Sequence, residues 1–123
     1  MIRGVGVDII EIPRLERAIE RWGEPFLRRV FTDVERRRAG GRPGAAQHLA
    51  GRFAAKEAVM KALGTGWRGL AWREIEIDAD PRGNPVVRLS GRAARAASAR
   101  GIAGLAVSIS HTRALATALA VAE

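Results

Sequence analysis

The chain has 123 residues, the size of one domain, and we expect residues 1–123 to form a single domain. It has no cysteine, which excludes disulfides, thiolate zinc sites and cysteine nucleophiles, while a net charge of +8 favours an anionic partner: nucleic acid, a phosphorylated small molecule or an acidic protein. Asp8 interrupts the apolar N-terminus, and no apolar run approaches the ~20 residues that cross a bilayer, so we expect a cytoplasmic protein that makes no membrane contact.

The N-terminal segment alternates and is rich in valine and isoleucine, which predicts a strand over 2–10. Gly4 and Gly6 lie within this strand. Glycine inside a strand is typical of a site where another backbone approaches closely. We therefore expect a second element to pack directly against this strand.

A helix is predicted to follow, with Pro13 in its first turn and Gly23 at its end. Residues 26–31 then predict a short helical turn. The first segment is predicted to be helical because apolar residues recur along it at helical spacing: Leu15, Ala18, Ile19 and Trp22.

Two further helices are predicted before the middle of the chain. Thr32 and Glu35 have the spacing of a capping box, which predicts a helix over 33–39. After a glycine-rich loop, an alanine-rich segment predicts the longest helix, over 45–63, with Gly64 in the C-cap position.

The C-terminal half predicts four strands and one short helix. The strands cover 70–79, 86–89, 104–111 and 114–122, and the helix covers 91–100. The order β-α-α-α-β-β-α-β-β favours an α+β fold, with a mainly antiparallel sheet and a long central helix.

Three groups of residues have the chemistry of a functional site. Asp8 is a carboxylate at the end of an apolar strand, where it either caps the next helix or binds a ligand. Glu57 and Lys61 share one helix face, as do Arg52 and Lys56, and this i, i+4 spacing is equally typical of surface ion pairs.

The third group is the segment 108–112, where His111 follows two serines at a strand end. A catalytic triad also needs an acid and an oxyanion hole, which the local sequence lacks, so a plain turn histidine is the alternative. His48 carries no signal of its own. Two histidines without cysteine argue against zinc, whereas two carboxylates beside a phosphate suit magnesium.

Together these segments resemble the holo-[acyl-carrier-protein] synthase family of phosphopantetheinyl transferases. The resemblance spans nearly the whole chain in order and spacing. Its motifs are GVGVDIIEIPR at 4–14, FTDVE at 31–35, AGRFAAKEAVMKALGTG at 50–66 and SISHT at 108–112.

The resemblance implies an enzyme that moves the 4'-phosphopantetheine arm of coenzyme A onto a serine of apo acyl carrier protein and releases adenosine 3',5'-bisphosphate. It implies that Asp8 and Glu57 hold Mg²⁺ and that both act in catalysis together with Lys61. Contacts to coenzyme A are implied for Arg52, Lys61, Pro85, His111 and Thr112. Members of the family are commonly homotrimers with sites at subunit boundaries, so some contacts are expected from a second chain.

The proton acceptor for the attacking serine stays open. A magnesium-bound water is one candidate, and the carboxylates Asp33 and Glu35 are two others. Glu57 is a poor candidate if it ligates the metal.

Carrier docking is the remaining expectation. Acyl carrier proteins are acidic, and we expect Arg14, Arg17 and Arg21, which share one helix face, to bind such a protein with Phe26 as an apolar contact. The family uses the residue that matches Arg14 in this way. A solvated basic face is the alternative.

Two other classes of protein fit the composition. The charge of +8 fits a small nucleic-acid-binding protein, but only 5% of residues are aromatic and no nucleic-acid motif is present. A scaffold domain would leave Asp8, Glu57 and Lys61 without a role. We therefore expect coenzyme A and a carrier protein as partners, and no nucleic acid.

Overall fold

A computed structural model describes residues 1–41, 43–66 and 69–123. The elements in chain order are β1 (Gly4–Glu11), α1 (Ile12–Val30), α2 (Asp33–Ala39), α3 (Ala45–Leu63), one 3-10 turn (Trp72–Glu74), β2 (Ile75–Ala79), β3 (Pro85–Leu89), α4 (Gly91–Ala99), β4 (Leu105–His111) and β5 (Leu115–Ala122). Across these ranges, no helix combines the length and the apolar character that a membrane crossing requires.

The described residues form two antiparallel sheets, which confirms the predicted α+β class. The larger sheet has the order β1-β5-β4, and the smaller one is the hairpin β2-β3. In the larger sheet Asp8 pairs with Ala118 of β5, whose register continues to Ile109 of β4. This pairing brings the N-terminal strand beside the chain's C-terminal strand.

Helix α3 packs across the larger sheet, and its predicted bounds agree with the structure. The contact with β1 depends on two glycines. A Cβ atom at Gly4 would overlap the carbonyl oxygen of Ala62, and one at Gly6 would overlap that of Ala58. The expected close backbone approach is therefore present, and it sets Asp8 against α3.

Helix α1 bends at Gly23, where φ is +61° and ψ is −143°. The predicted break at this residue is confirmed, and the helix resumes through Pro25 to Val30. Trp22 lies just before this bend, and 58% of the residue is exposed. The Arg21 guanidinium lies 5.0 Å from the indole centroid.

The predicted strand over 70–79 begins later than expected. Residues 72–74 form a 3-10 turn, in which the Glu74 carboxylate accepts the Ala71 N–H at 2.6 Å. Trp72 stacks on Phe53 of α3, with 4.9 Å between ring centroids. A local hydrogen bond and a tertiary stacking contact therefore replace extended pairing here.

Candidate active site

A cavity of about 520 Å³ opens where β1 runs into α1, on the side that faces α3. Asp8 enters from β1 and Glu57 from α3, so the structure brings together two carboxylates that lie far apart in the sequence. Its other lining residues are mainly apolar, with Glu11 and Arg14 at one end: Ile9, Ile10, Glu11, Arg14, Leu15, Ala18, Phe26, Phe53 and Leu115.

Lys61 lies one turn beyond Glu57 and contacts β1. Its ammonium donates to the carbonyl of Val7 at 2.8 Å and lies 3.3 Å from Asp8 Oδ1. Half of the Lys61 side chain is exposed, so the ammonium also faces solvent. Thr117 of β5 fixes the strand from the other side, because its hydroxyl donates to the Asp8 carbonyl at 2.9 Å. Lys61 thus places a positive charge beside the Asp8 carboxylate.

The negative charge of Asp8 acts on the ionisation of Glu57. Burial raises the pKa of Glu57, and the negative charge of Asp8 raises it further, while Lys61 partly opposes the shift. A positive ion between the two groups would remove this repulsion. The arrangement is therefore favourable for binding a cation.

A second cavity, of about 260 Å³, lies between α3 and the end of β4. Arg52 and His111, both predicted to bind coenzyme A, line it together. Burial lowers the pKa of the Arg52 guanidinium, and its buried Nε has no hydrogen-bond partner among the described residues. An anionic ligand would relieve both costs.

His48 lines this second cavity as well, although its sequence context carried no signal. It precedes Arg52 by one helical turn on α3, so both residues face the same side. The i, i+4 spacing of His48 and Arg52 was the one sequence signal for this site. It points to a binding site only because β4 places His111 in the same cavity.

Pro85 and Thr112, which were also predicted to contact coenzyme A, do not lie with Arg52 and His111 in the second cavity. Pro85 begins β3, and neither residue is among the described residues that line the two cavities. Thr112 instead caps the β4–β5 turn, where its hydroxyl accepts the N–H groups of Ala114 and Leu115 at 3.2 and 3.1 Å. Thr112 nevertheless directly follows His111 of the second cavity, and its carbonyl oxygen lies 3.3 Å from His111 Nδ1.

Within one copy of the chain, the two carboxylates that the sequence left open as proton acceptors lie away from Asp8 and Glu57. Glu35 is fully buried and ion-paired to Lys56 at 2.7 Å. Asp33 lies against a different cavity, beside Arg36 and Arg37. Neither lines the cavity of Asp8 and Glu57, whereas Glu11 does.

The predicted docking residues are divided by the bend of α1. Arg14 and Phe26 line the larger cavity from either side of that bend. Arg17 and Arg21 are exposed on the helix between them. The basic face therefore leads into the cavity.

The chain resembles known proteins of one family both in sequence and in structure. The family model of the 4'-phosphopantetheinyl transferase superfamily matches residues 4–118. A holo-[acyl-carrier-protein] synthase of Desulforudis audaxviator is 49% identical over 122 residues, which cover 99% of this chain and 93% of that protein. The crystal structure of the Neisseria meningitidis holo-[acyl-carrier-protein] synthase superposes with a TM-score of 0.89 at 37% identity, covering 100% of this chain and 99% of that one.

A further solved structure contains a ligand. It is the Helicobacter pylori holo-[acyl-carrier-protein] synthase in complex with coenzyme A, with a TM-score of 0.85, 32% identity and coverage of 97% and 99% of the two chains. The matches extend over nearly the whole chain, including both cavities. The chain therefore belongs to the holo-[acyl-carrier-protein] synthase family of the 4'-phosphopantetheinyl transferase superfamily, and it is an enzyme.

Proposed function

We propose that this enzyme, as one domain over residues 1–123, transfers the 4'-phosphopantetheine arm of coenzyme A to a serine of an apo acyl carrier protein, with Mg²⁺, and releases adenosine 3',5'-bisphosphate. The observation that carries the proposal is that Asp8 and Glu57 line one cavity, while the Lys61 ammonium lies 3.3 Å from Asp8 Oδ1. A pyrophosphate is the substrate group that needs such a set of charges.

The residues at this cavity fit a magnesium ion. Asp8 and Glu57 offer hard oxygen ligands, and their mutual repulsion favours a cation between them. In the described ranges no cluster of three or more acidic, histidine or cysteine side chains could enclose a metal. Two protein ligands suit Mg²⁺, which retains open positions for phosphate and water. Bound there, it would neutralise charge on the pyrophosphate.

The chain's own residues orient the substrate at both ends. Lys61 offers an ammonium where negative charge grows on the leaving bisphosphate as the serine oxygen forms its bond to phosphorus. Arg52, His111 and His48 offer an anion site for the nucleotide end of coenzyme A. We place Pro85 and Thr112 at the same nucleotide, contributed by a neighbouring copy of the chain.

The serine proton needs an acceptor within the cavity. Glu11 is the lining carboxylate left over once Asp8 and Glu57 are assigned to the metal. It ends β1 and makes no side-chain cap to α1, so its oxygens are not engaged by that helix. We assign Glu11 as the proton acceptor.

A transfer assay tests the function directly. Purified enzyme is mixed with apo acyl carrier protein, coenzyme A and Mg²⁺, and intact-mass spectrometry follows the carrier. We expect the carrier to gain one phosphopantetheine, and EDTA to stop the reaction. An unmodified carrier in the presence of Mg²⁺ would contradict the proposal.

Docking of the carrier is assigned to the basic face of α1, formed by Arg14, Arg17 and Arg21, with Phe26 beside it. The face leads into the cavity and is complementary to an acidic protein. Trp22, exposed beside Arg21, adds apolar area to this face.

Arg14→Glu should raise the KM for the carrier about tenfold, because it reverses a charge at the docking face. The difference from wild type should shrink as salt screens the charges. Steady-state rates at several salt concentrations provide the measurement. Arg95→Glu on α4 makes the same charge change elsewhere and should leave this KM unchanged; equal effects of the two variants would contradict the assignment.

The larger sheet has an exposed apolar face, which supports the homotrimer. Val5, Val7 and Ile9 of β1 are 55–64% exposed, and Leu119 of β5, which pairs with Val7, is 44% exposed. Exposed apolar patches mark interfaces. Ile9 also lines the larger cavity, so a copy packed on this face would reach the site. We assign the face to copies of this chain.

Val7→Asp should dissociate the assembly, since it puts a charge at the centre of the apolar face. In analytical ultracentrifugation we expect the wild type to sediment with the mass of three chains and the variant with that of one. Trp22→Ser, which removes exposed apolar area from α1, is the control and should keep the wild-type mass. A Val7→Asp variant that still sediments with the mass of three chains would contradict the assignment.

A further inference from the structure

A buried ion pair lies directly behind the metal-binding turn of α3. Lys56 Nζ and Glu35 Oε1 are 2.7 Å apart, and both side chains have no exposed surface. Neither residue lines the cavity of Asp8 and Glu57. The reaction described above does not use this pair.

The polar atoms of the pair are tied to the surrounding backbone. The Lys56 ammonium also donates to the carbonyls of Val30 at 2.7 Å and Trp72 at 3.0 Å. The Glu35 carboxylate accepts the N–H of Thr32 at 2.8 Å and that of Ile77 at 2.7 Å. The pair thus fastens α3 to the end of α1, the start of α2, the 3-10 turn and β2.

The helix geometry relates this pair to Glu57. Successive residues of an α-helix lie about 100° apart, so Lys56 and Ala58 flank Glu57 on opposite sides. Ala58 is held against Gly6 of β1, where no side chain fits between the two backbones. Lys56 is held by the ion pair on the other flank. The helix is therefore fixed against rotation on both sides of Glu57.

We propose that the Glu35–Lys56 pair is a positioning device that directs Glu57 towards Asp8 for metal binding. The proposal rests on the proposed function, because it concerns the metal of that site. Hydrogen bonds and ion pairs are directional, whereas apolar packing is not. An apolar pair would fill the space, but it would not define the angle of α3.

The test uses equilibrium binding of Mn²⁺, measured by electron paramagnetic resonance with coenzyme A present, at a temperature where each variant is fully folded. Lys56→Met and Glu35→Gln should weaken Mn²⁺ binding about tenfold, as loss of outer-shell support does in metal sites. Ala97→Gly in α4 is the matched control, since it lowers stability away from α3 and should keep wild-type Mn²⁺ affinity.

A double variant keeps the test decisive if the single ones do not fold. Lys56→Met combined with Glu35→Met leaves no unpaired buried charge, and such replacements are often neutral for folding. We expect this folded double variant to bind Mn²⁺ about tenfold more weakly than wild type. Wild-type affinity in the double variant would overturn the positioning role, whereas a wild type that transfers no phosphopantetheine would overturn the proposed function instead.

Discussion

Asp8→Asn and Glu57→Gln should each lower kcat by about a thousandfold, a loss of about 4 kcal/mol of transition-state stabilisation. Each change removes one negative oxygen from the pair that faces the cation site, while it keeps the shape of the side chain. Rates of phosphopantetheine transfer at saturating carrier and coenzyme A provide the measurement. Full activity in either variant would exclude that residue from the metal site.

The same variants should remain folded, which separates a catalytic loss from unfolding. The pKa of Glu57 is raised in the folded protein, so its ionised form costs folding free energy at neutral pH. Glu57→Gln removes that cost, and its free energy of unfolding at pH 7 should equal or exceed that of wild type. Chemical denaturation measures this value. A clear loss of stability in Glu57→Gln would contradict the raised pKa of Glu57 in the folded protein.

Gly6→Ala should lower the free energy of unfolding by about 3 kcal/mol, because the new Cβ would overlap the carbonyl oxygen of Ala58. Backbone atoms of β1 and α3 cannot move apart at that point without disturbing neighbouring contacts. We expect Tm to fall by about 10 °C, as measured by thermal unfolding with circular dichroism detection. Activity should fall with it, since the strand that carries Asp8 would be pushed away from Glu57.

Gly104→Ala is the control for this glycine. Nothing lies within 4 Å of a Cβ built at Gly104, and its φ is outside the left-handed region. The control should therefore melt close to wild type and remain active. If Gly6→Ala also melted like wild type, the close contact between β1 and α3 would not be the constraint that sets the site.

The parts of the fold that were predicted correctly are those that local chemistry determines. Helix α3 ends at Gly64, which takes the left-handed C-cap conformation with φ of +77°. Helix α2 begins at Thr32, whose capping box with Glu35 forms as expected. In both cases the deciding interactions lie within a few residues along the chain.

The parts that were missed depend on tertiary contacts. Trp22 has helical spacing with the buried Leu15, yet 58% of the residue is exposed just before the bend at Gly23. Trp72 lies in an alternating segment, yet stacking on Phe53 and the bond from Ala71 to Glu74 replace the strand. No local pattern contains these partners.

The site shows the same division. Glu57 and Lys61 were predicted to share a helix face, and both are directed towards β1. That Asp8 meets them follows from the pairing of β1 with β5 and its packing on α3, which the family resemblance implied and the spacing did not. His48 was missed because its neighbour His111 lies in another element. The burial of Glu35, which the sequence left open as a proton acceptor, depends on its distant partner Lys56.

The central claim is that Asp8 and Glu57 share one divalent cation. Anomalous X-ray scattering from crystals grown with Mn²⁺ and coenzyme A tests it most directly. We expect one manganese peak within about 2.5 Å of a carboxylate oxygen of each residue, close to the distances of hard-ion coordination. A well-defined peak that contacts only one of the two carboxylates, or neither, would contradict the claim.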